Sequence, residues 1–420
     1  MNVFFLSDNR NRRNWGCRST SKALKDLVAE KNEIIYTVYG NNTISYQPFA
    51  LRDKIYSFKD RVRMALCRRN ILRDYLLRTD PYNIIKSSVE ESYRMYKRML
   101  LNNPLSYYKE IDDNLRVCDA LVCNGEGTLI FTNPPRYDTI FYALIFKLAQ
   151  EYGKKTYMLN AMFSDFPGKG RNEVVLNECK EIFYNCTLIT ARDPLSYEYY
   201  KKNIGDNVVY VPDALFSWTK YGDYLPLAKR NPKAFISFPE YDDKIEDFDF
   251  SKPYICLSGS SLVAWNQEKA REAYTELAKT LKKNFRVIVV PTCDGDRFLR
   301  KVAKEADCPL VPVETNIFMG MSILANADVF VSGRWHPSIL ASLGGTPCVF
   351  MGSNSHKTLA LQYMLEYPEK KEYSAIPMKD EINNIVEDCK RLISQGQIER
   401  NRILSIVNNL SNDALGNMIS

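Results

Sequence analysis

A chain of 420 residues that is 45% apolar, 25% charged and 12% aromatic has material for two or three packed domains, which excludes a disordered or fibrous protein. No apolar run nears the ~20 residues of a membrane-spanning helix, and the opening "MNVFFLSDNRNRRNWG" turns basic too early for a secretory leader, so a cytoplasmic protein is expected. The net charge is +7, and the excess sits in residues 1–100, where 20 Lys and Arg meet 10 Asp and Glu; by net charge alone, an anionic partner would be met by that stretch if by any.

Short apolar runs read as strands buried on both faces: 2–6, 33–39, 120–124, 155–161, 187–190 and 208–211, then 254–258, 285–291, 328–332 and 347–351. Helical patterns at 138–152, 194–203 and 264–283 lie between them, and helices near 379–394 and 397–409 close the chain. In the helix 264–283, Ala264, Ala270, Ala273, Tyr274, Leu277 and Leu281 recur near helical spacing. This βα alternation predicts an α/β protein with two parallel sheets. The first domain is placed at residues 1–227, with a basic helical insertion at about 52–102. A charged, proline-punctuated linker spans 228–253, the second domain 254–395, and a helical tail 396–420.

Within the insertion, Ile55, Phe58, Val62, Leu66, Ile71, Leu72 and Leu76 mark an apolar stripe among Lys59, Arg61, Arg63, Arg68 and Arg69. It reads as an amphipathic helix packed on the first domain, or as one resting on the anionic inner face of a membrane. The 11 cysteines are scattered, without a Cys-x-x-Cys pair or a Cys/His cluster. They predict neither a disulfide frame nor a zinc site, and no metal is expected. No nucleic-acid-binding module is recognisable, and nothing in the sequence reports an oligomeric state.

The two histidines of the chain, His336 and His356, lie 20 positions apart, each behind a short apolar run. Arg334, Trp335 and His336 follow the strand 328–332, and Pro337 suits the first turn of a helix. His356 and Lys357 follow the strand 347–351, with Ser355 placed to cap the next helix. In a parallel sheet both loops leave the same edge, where open α/β sheets bind ligands. Helix N-termini there favour anions, and Arg334 and Lys357 add full charges. In the first half, Asn14 and Gly16 follow the first strand, with Gly16 permitting a tight turn. "NGEGT" (124–128) places Asn124, Gly125, Glu126 and Gly127 at a strand end, and "ARDPLS" places Arg192 at another, with Asp193 as N-cap.

"ADVFVSGRWHPSILASLGGTPCVF" followed by "SHKT", together with "ARDPLS" and "VPDALF" (211–216), resembles the motifs of the polysaccharide pyruvyl transferase family. The resemblance runs in order over about residues 1–365 and is most specific at 327–357. It implies a GT-B-like arrangement, two Rossmann-like domains facing across a cleft. It also implies transfer of the enolpyruvyl group of phosphoenolpyruvate onto two hydroxyls of a sugar. The donor is a co-substrate, and no resident cofactor is implied. On this resemblance Arg334 and His336 line the donor site, with Arg192 an anion contact. Cys17 stands where the family often has an acidic residue, and Glu126 interrupts an otherwise glycine-rich stretch.

The residues suit that chemistry. The donor carries a carboxylate and a phosphate, which call for cations and helix N-termini, so Arg192, Arg334, Trp335, His356 and Lys357 form the expected donor side. Ketal formation requires a proton on the methylene carbon, and an imidazole is a suitable acid near neutral pH, which assigns it to His336. Asn14, Gly16, Asn124, Gly125, Glu126, Gly127 and Asp213 form the expected acceptor side, with Glu126 and Asp213 both open as the base. The acceptor is a sugar or oligosaccharide of a surface polysaccharide, either free or lipid-linked. Two other functions stay open. A nucleotide-sugar glycosyltransferase would use the same architecture, although retaining types carry two glutamates seven residues apart after the strand-end motif, and Glu366 is the first acid after His336. A carbohydrate-binding protein without catalysis would keep the cleft alone.

Overall fold

The computed structural model describes residues 1–40, 84–102, 107–224, 248–263 and 266–420. The basic stripe of 52–78, most of the 228–253 linker and Ala264 lie outside the described residues. The first half is a six-stranded parallel sheet in the order β2-β1-β3-β4-β5-β6. Its strands are β1 (Asn2–Asp8), β2 (Glu33–Tyr39), β3 (Ala120–Ile130), β4 (Lys155–Ser164), β5 (Leu188–Ala191) and β6 (Val209–Tyr210). The second half is a four-stranded parallel sheet, β10-β9-β7-β8, built from β7 (Ile255–Ser260), β8 (Val287–Val289), β9 (Val329–Gly333) and β10 (Cys348–Phe350). All ten expected strands are present. Their apolar runs arise because helices cover both faces of each sheet.

Around the first sheet run α1 (Trp15–Ala29), α2 (Val89–Asn102), α3 (Tyr107–Val117), α4 (Tyr137–Glu151), α5 (Glu173–Tyr184) and α6 (Pro194–Asn203). Around the second run α7 (Gln267–Lys282), α8 (Phe298–Glu305), α9 (Ile317–Ala325), α10 (Trp335–Ser342), α11 (Lys357–Met364) and α12 (Lys379–Ala414). Gly396, at φ 50°, divides α12 into the two helical segments expected from the sequence. Its second segment crosses back onto the first half. There Asn417 accepts from the Thr190 hydroxyl at 2.8 Å and donates to the Pro212 carbonyl at 3.1 Å.

Three apolar clusters hold the molecule. One belongs to each half, and a third joins them through Phe5, Trp15, Phe216 and Trp218 on one side and Tyr254, Phe330, Trp335 and Ile339 on the other. Trp15 fixes the junction: its indole donates to the Val313 carbonyl at 2.7 Å, and its ring fills the space left by Gly320, where a Cβ would lie 2.6 Å from it. The C-terminal edges of the two sheets are therefore held facing one another. Among the described residues no helix is long and apolar enough to cross a membrane.

Three local expectations are corrected. "NGEGT" is not a loop after a strand but the continuation of β3, which stays paired to β4 as far as Ile130 and Ser164. Gly16 lies inside the first turn of α1 rather than in the turn before it; Asn14 is the N-cap and accepts from the Cys17 amide at 3.2 Å. Ser355 does not cap α11, because His356 occupies that position and the Ser355 hydroxyl turns to Met162 Sδ at 3.4 Å.

Candidate functional site

β9 and β10 are neighbours, so Arg334 and His356, the caps of α10 and α11, emerge on one edge. Trp335 and His336 already lie in the first turn of α10. The two imidazoles both reach across to the β5–α6 connection and the segment after β6. His336 Nε2 lies 3.1 Å from Asp213 Oδ2 and 3.2 Å from Arg192 Nη1. His356 Nε2 lies 3.1 Å from Ser196 Oγ and 3.3 Å from Asp193 Oδ1. Asp193 is also the N-cap of α6, accepting from the Ser196 amide at 2.8 Å and the Ser196 hydroxyl at 2.7 Å, as its place before Pro194 anticipates.

Asp213 is fully buried and saturated with donors. Its Oδ2 faces Trp335 Nε1 at 3.0 Å, His336, and Arg192 Nη1 at 3.5 Å; Oδ1 accepts from Thr20 Oγ1 at 2.9 Å and the Leu215 amide at 3.0 Å. Burial alone would raise its pKa, but His336, Arg192 and the Trp335 N–H outweigh burial and hold it well below the usual carboxylate range. Asp213 thus lies against Trp335, His336 and Arg192. Arg192, 1% exposed, lies with its guanidinium carbon 4.9 Å from the Trp335 ring centroid, and its Nε is 4.0 Å from Asp193 Oδ2 with no hydrogen bond among the described residues. Gly16 lies directly against the imidazole of His336: a Cβ there would come 2.7 Å from Nδ1 and 2.8 Å from the histidine's own Cβ. Space, not turn geometry, is what requires glycine at this position.

Arg334 is anchored by Asp296, whose Oδ1 accepts from Nη2 at 2.5 Å. Burial would lower the guanidinium's pKa, yet Asp296 raises it further above its ordinary value. Among the described residues, Lys357 has no such carboxylate. Its ammonium donates to Asn354 Oδ1 at 2.7 Å, and burial first, then the like charges of Arg192, Arg334 and Arg136, pushes its pKa down to about 7. Four cations therefore converge on one locus. Among the described residues, no group of three or more His, Cys, Asp or Glu is placed to hold a metal ion.

The expected acceptor-side residues divide. Glu126 is 7% exposed, in the left-handed region at φ 42°, and accepts from the Asn9 amide nitrogen. The Cys17 thiol is pushed far up by burial and by this carboxylate, which keeps it neutral. Gly127 lies near Arg192, and its carbonyl accepts from Arg136 Nη1 at 3.0 Å. Asn124 and Gly125 lie beneath the site instead. Asn124 is fully buried, donating to Ser21 Oγ at 3.0 Å and accepting from Asn160 Nδ2 at 3.3 Å, and Gly125 packs on Ala161.

A family model described as polysaccharide pyruvyl transferase matches residues 18–355, which include Glu126, Arg192, Asp213, Arg334 and His336. The chain belongs to the polysaccharide pyruvyl transferase family. A family member of this kind takes a sugar or polysaccharide acceptor. No protein among curated sequences matches the chain.

Solved structures similar to this transferase-family chain are of the GT-B type. The UDP complex of MnaA from S. aureus has a TM-score of 0.54 at 11% identity, covering 99% of this chain and 94% of that one. The UDP-GlcNAc 2-epimerase of Neisseria meningitidis bound to UDP-GlcNAc has a TM-score of 0.54 at 12% identity, covering 98% of each. Arabidopsis thaliana UGT89C1 with UDP has a TM-score of 0.53 at 12% identity, covering 99% and 97%. At these identities the likeness is one of fold alone.

The sequence did not single out Asp296, Arg136 or Thr20, and it identified Asp193 only as a cap. Asp296 had one signal available. It lies in "CDGD", just after an apolar strand, on the edge where the histidines were expected.

Proposed function

We propose that this chain transfers the enolpyruvyl group of phosphoenolpyruvate onto two hydroxyls of one sugar in a bacterial surface polysaccharide or its lipid-linked repeat unit. The product is a cyclic ketal, and inorganic phosphate is released. The observation that carries this reading is the convergence of Arg192, Arg334, Lys357 and Arg136, where burial first, and then the like charges of the three guanidiniums, push the Lys357 pKa down to about 7. A small ligand with a carboxylate and a phosphate relieves that repulsion.

In the proposed reaction His336 donates a proton to the methylene carbon, which becomes the methyl group, and C2 takes on oxocarbenium character. A sugar hydroxyl adds to C2 and gives its proton to a base. The C2–O bond to phosphate then breaks, and the second hydroxyl closes the ring, giving its proton to the departing phosphate, which leaves as hydrogen phosphate. Asp213 holds the imidazole through Nε2, so the proton delivered is the one on Nδ1, the nitrogen beside Gly16. Arg334 and Lys357 hold the departing phosphate. Of the two candidate bases, Glu126 is the one assigned. Its carboxylate meets the neutral donors Asn9 and Cys17, whereas both oxygens of Asp213 are occupied and one of them faces Arg192 and His336.

A nucleotide-sugar glycosyltransferase is the second reading, favoured by the fold's likeness to UDP-bound structures. Thermal unfolding in the presence of each donor separates the two. A ligand at 100 times its Kd stabilises by about 2.7 kcal/mol, so phosphoenolpyruvate should raise the Tm while nucleotide sugars leave it unchanged. Stabilisation by a nucleotide sugar alone reverses the assignment.

A further inference from the structure

β8 runs on through Val290 and Pro291 into the turn Thr292–Asp296, on the same edge of the second sheet as Arg334. The reaction scheme gives this turn no role. Its Asp296 is fully buried. One carboxylate oxygen, Oδ2, closes the turn on itself, accepting from the Thr292 amide at 3.0 Å, the Thr292 hydroxyl at 3.2 Å and the Cys293 thiol at 3.7 Å. The other, Oδ1, meets Arg334 Nη2 at 2.5 Å. Room for that oxygen comes from Gly259 on β7, where a Cβ would overlap it. The ends of β7, β8 and β9 thus combine to aim one carboxylate at one guanidinium.

A carboxylate needed only to shape its own turn would use Oδ2 and leave Oδ1 to water. Here Oδ1 is spent on Arg334, and a buried charge pair of this kind is strongly disrupted when either partner is removed. Arg334 is gripped at Nη2, while its buried Nε makes no hydrogen bond among the described residues. The same turn also receives the first half of the molecule. The Trp15 amide donates to the Thr292 carbonyl at 2.9 Å, the Asp294 amide donates to the Arg13 carbonyl at 3.2 Å, and Asn14 bridges Cys293 in antiparallel fashion. Arg334 is therefore registered to the start of α1, the element that places Gly16 under His336.

We infer that Asp296 is the positioning residue of Arg334, fixing the guanidinium so that its remaining N–H groups are presented to the anionic donor in register with the His336 imidazole. The inference rests on the anionic-donor reading above. Asp296 acts through Arg334 and does not itself touch the substrate.

The test is a double-mutant cycle on the full chain. Asp296→Asn keeps the shape and removes the charge. Its Kd for phosphoenolpyruvate by calorimetry should weaken about 10–100-fold, the scale on which outer partners of ligating residues act. Donor KM should rise while acceptor KM stays near wild type, a split that general loss of structure does not produce. On an Arg334→Ala background, Asp296→Asn should bring no further loss of donor affinity. Wild-type donor affinity in Asp296→Asn, or losses that add across the cycle, would overturn the inference. If Asp296→Asn does not fold, Gly259→Ala crowds Oδ1 without removing charge and should raise donor KM; an unchanged KM there is equally fatal. If wild type binds no phosphoenolpyruvate, the donor reading has failed. The cycle is then read in Tm, where losses from Asp296→Asn and Arg334→Ala should be non-additive, and additive losses refute the coupling.

Discussion

Gly16→Ala is the substitution on which the geometry speaks most sharply. The new methyl would stand 2.7 Å from His336 Nδ1, 2.8 Å from its Cβ and 3.1 Å from its Cγ, whereas ordinary contact begins at 3.4 Å. The imidazole or the start of α1 must therefore move by about 0.7 Å. Asn14, Trp15 and Thr292 pin the start of α1, so His336 is the part that yields, its Cβ shifting together with the ring. A shift of that size takes Nε2, now 3.1 Å from Asp213 Oδ2, out of hydrogen-bonding range. Misplacement of a reacting group by about 1 Å can lower turnover ~10²-fold. Stability should change far less. Ala in place of Gly inside a helix gains roughly 0.5–1 kcal/mol, against roughly 1–3 kcal/mol for overpacking. In a chain this size that is a Tm change of only several degrees. The assay is phosphate release from phosphoenolpyruvate with a competent acceptor, alongside thermal unfolding. Turnover within twofold of wild type in a folded Gly16→Ala variant would refute the argument that His336 acts from beside Gly16.

Other outcomes follow from the same geometry. His336→Gln should lower kcat by ~10²–10⁴-fold while donor affinity by calorimetry stays near wild type. Lys357 gives donor binding a pH dependence. With its free-enzyme pKa at about 7, the amine is already charged below pH 7. Above pH 7 it must take up a proton on binding the anion, so affinity should fall by up to about tenfold per pH unit. Lys357→Met should bind the donor more weakly and flatten that slope between pH 7 and 9, and a slope unchanged in the variant would exclude Lys357 as its source. Glu126→Gln should lower kcat and leave donor Kd unchanged, which calorimetry and steady-state rates together check. Cys17 and Cys123 are buried thiols with pKa values pushed far up, in both cases chiefly by burial. A Cys17→Ala, Cys123→Ala double variant should stay active, and complete loss in a folded protein would point to a thiol nucleophile.

Much of this arrangement was legible in the sequence because it is local. Strands covered on both faces must be continuous apolar runs, and all ten were visible as such. The Asp193–Pro194 start of α6 and the glycine that divides α12 are equally local signals. The co-emergence of Arg334 and His356 follows from β9 and β10 being adjacent, which sequence spacing suggested and pairing decides. The partners across the interface were not legible, since each is set by the docking of two sheets. Asp296 is 38 positions from Arg334, Asp213 is 123 from His336, and Thr20 is 193 from Asp213. The glycines misled for a related reason. Gly16 read as a turn residue and Gly125 as the end of a strand, yet each is small because a side chain from elsewhere, His336 or Ala161, occupies its Cβ position.

The most direct test of the central claim is product formation. The purified chain would be incubated with phosphoenolpyruvate and a panel of surface-polysaccharide repeat units, with phosphate counted and the acceptor examined by mass spectrometry and NMR. One phosphate should be released per pyruvate ketal formed on a single sugar, with both lost in His336→Gln. Sugar transfer from a nucleotide sugar to the same acceptors, with no phosphate released from phosphoenolpyruvate, would contradict that claim.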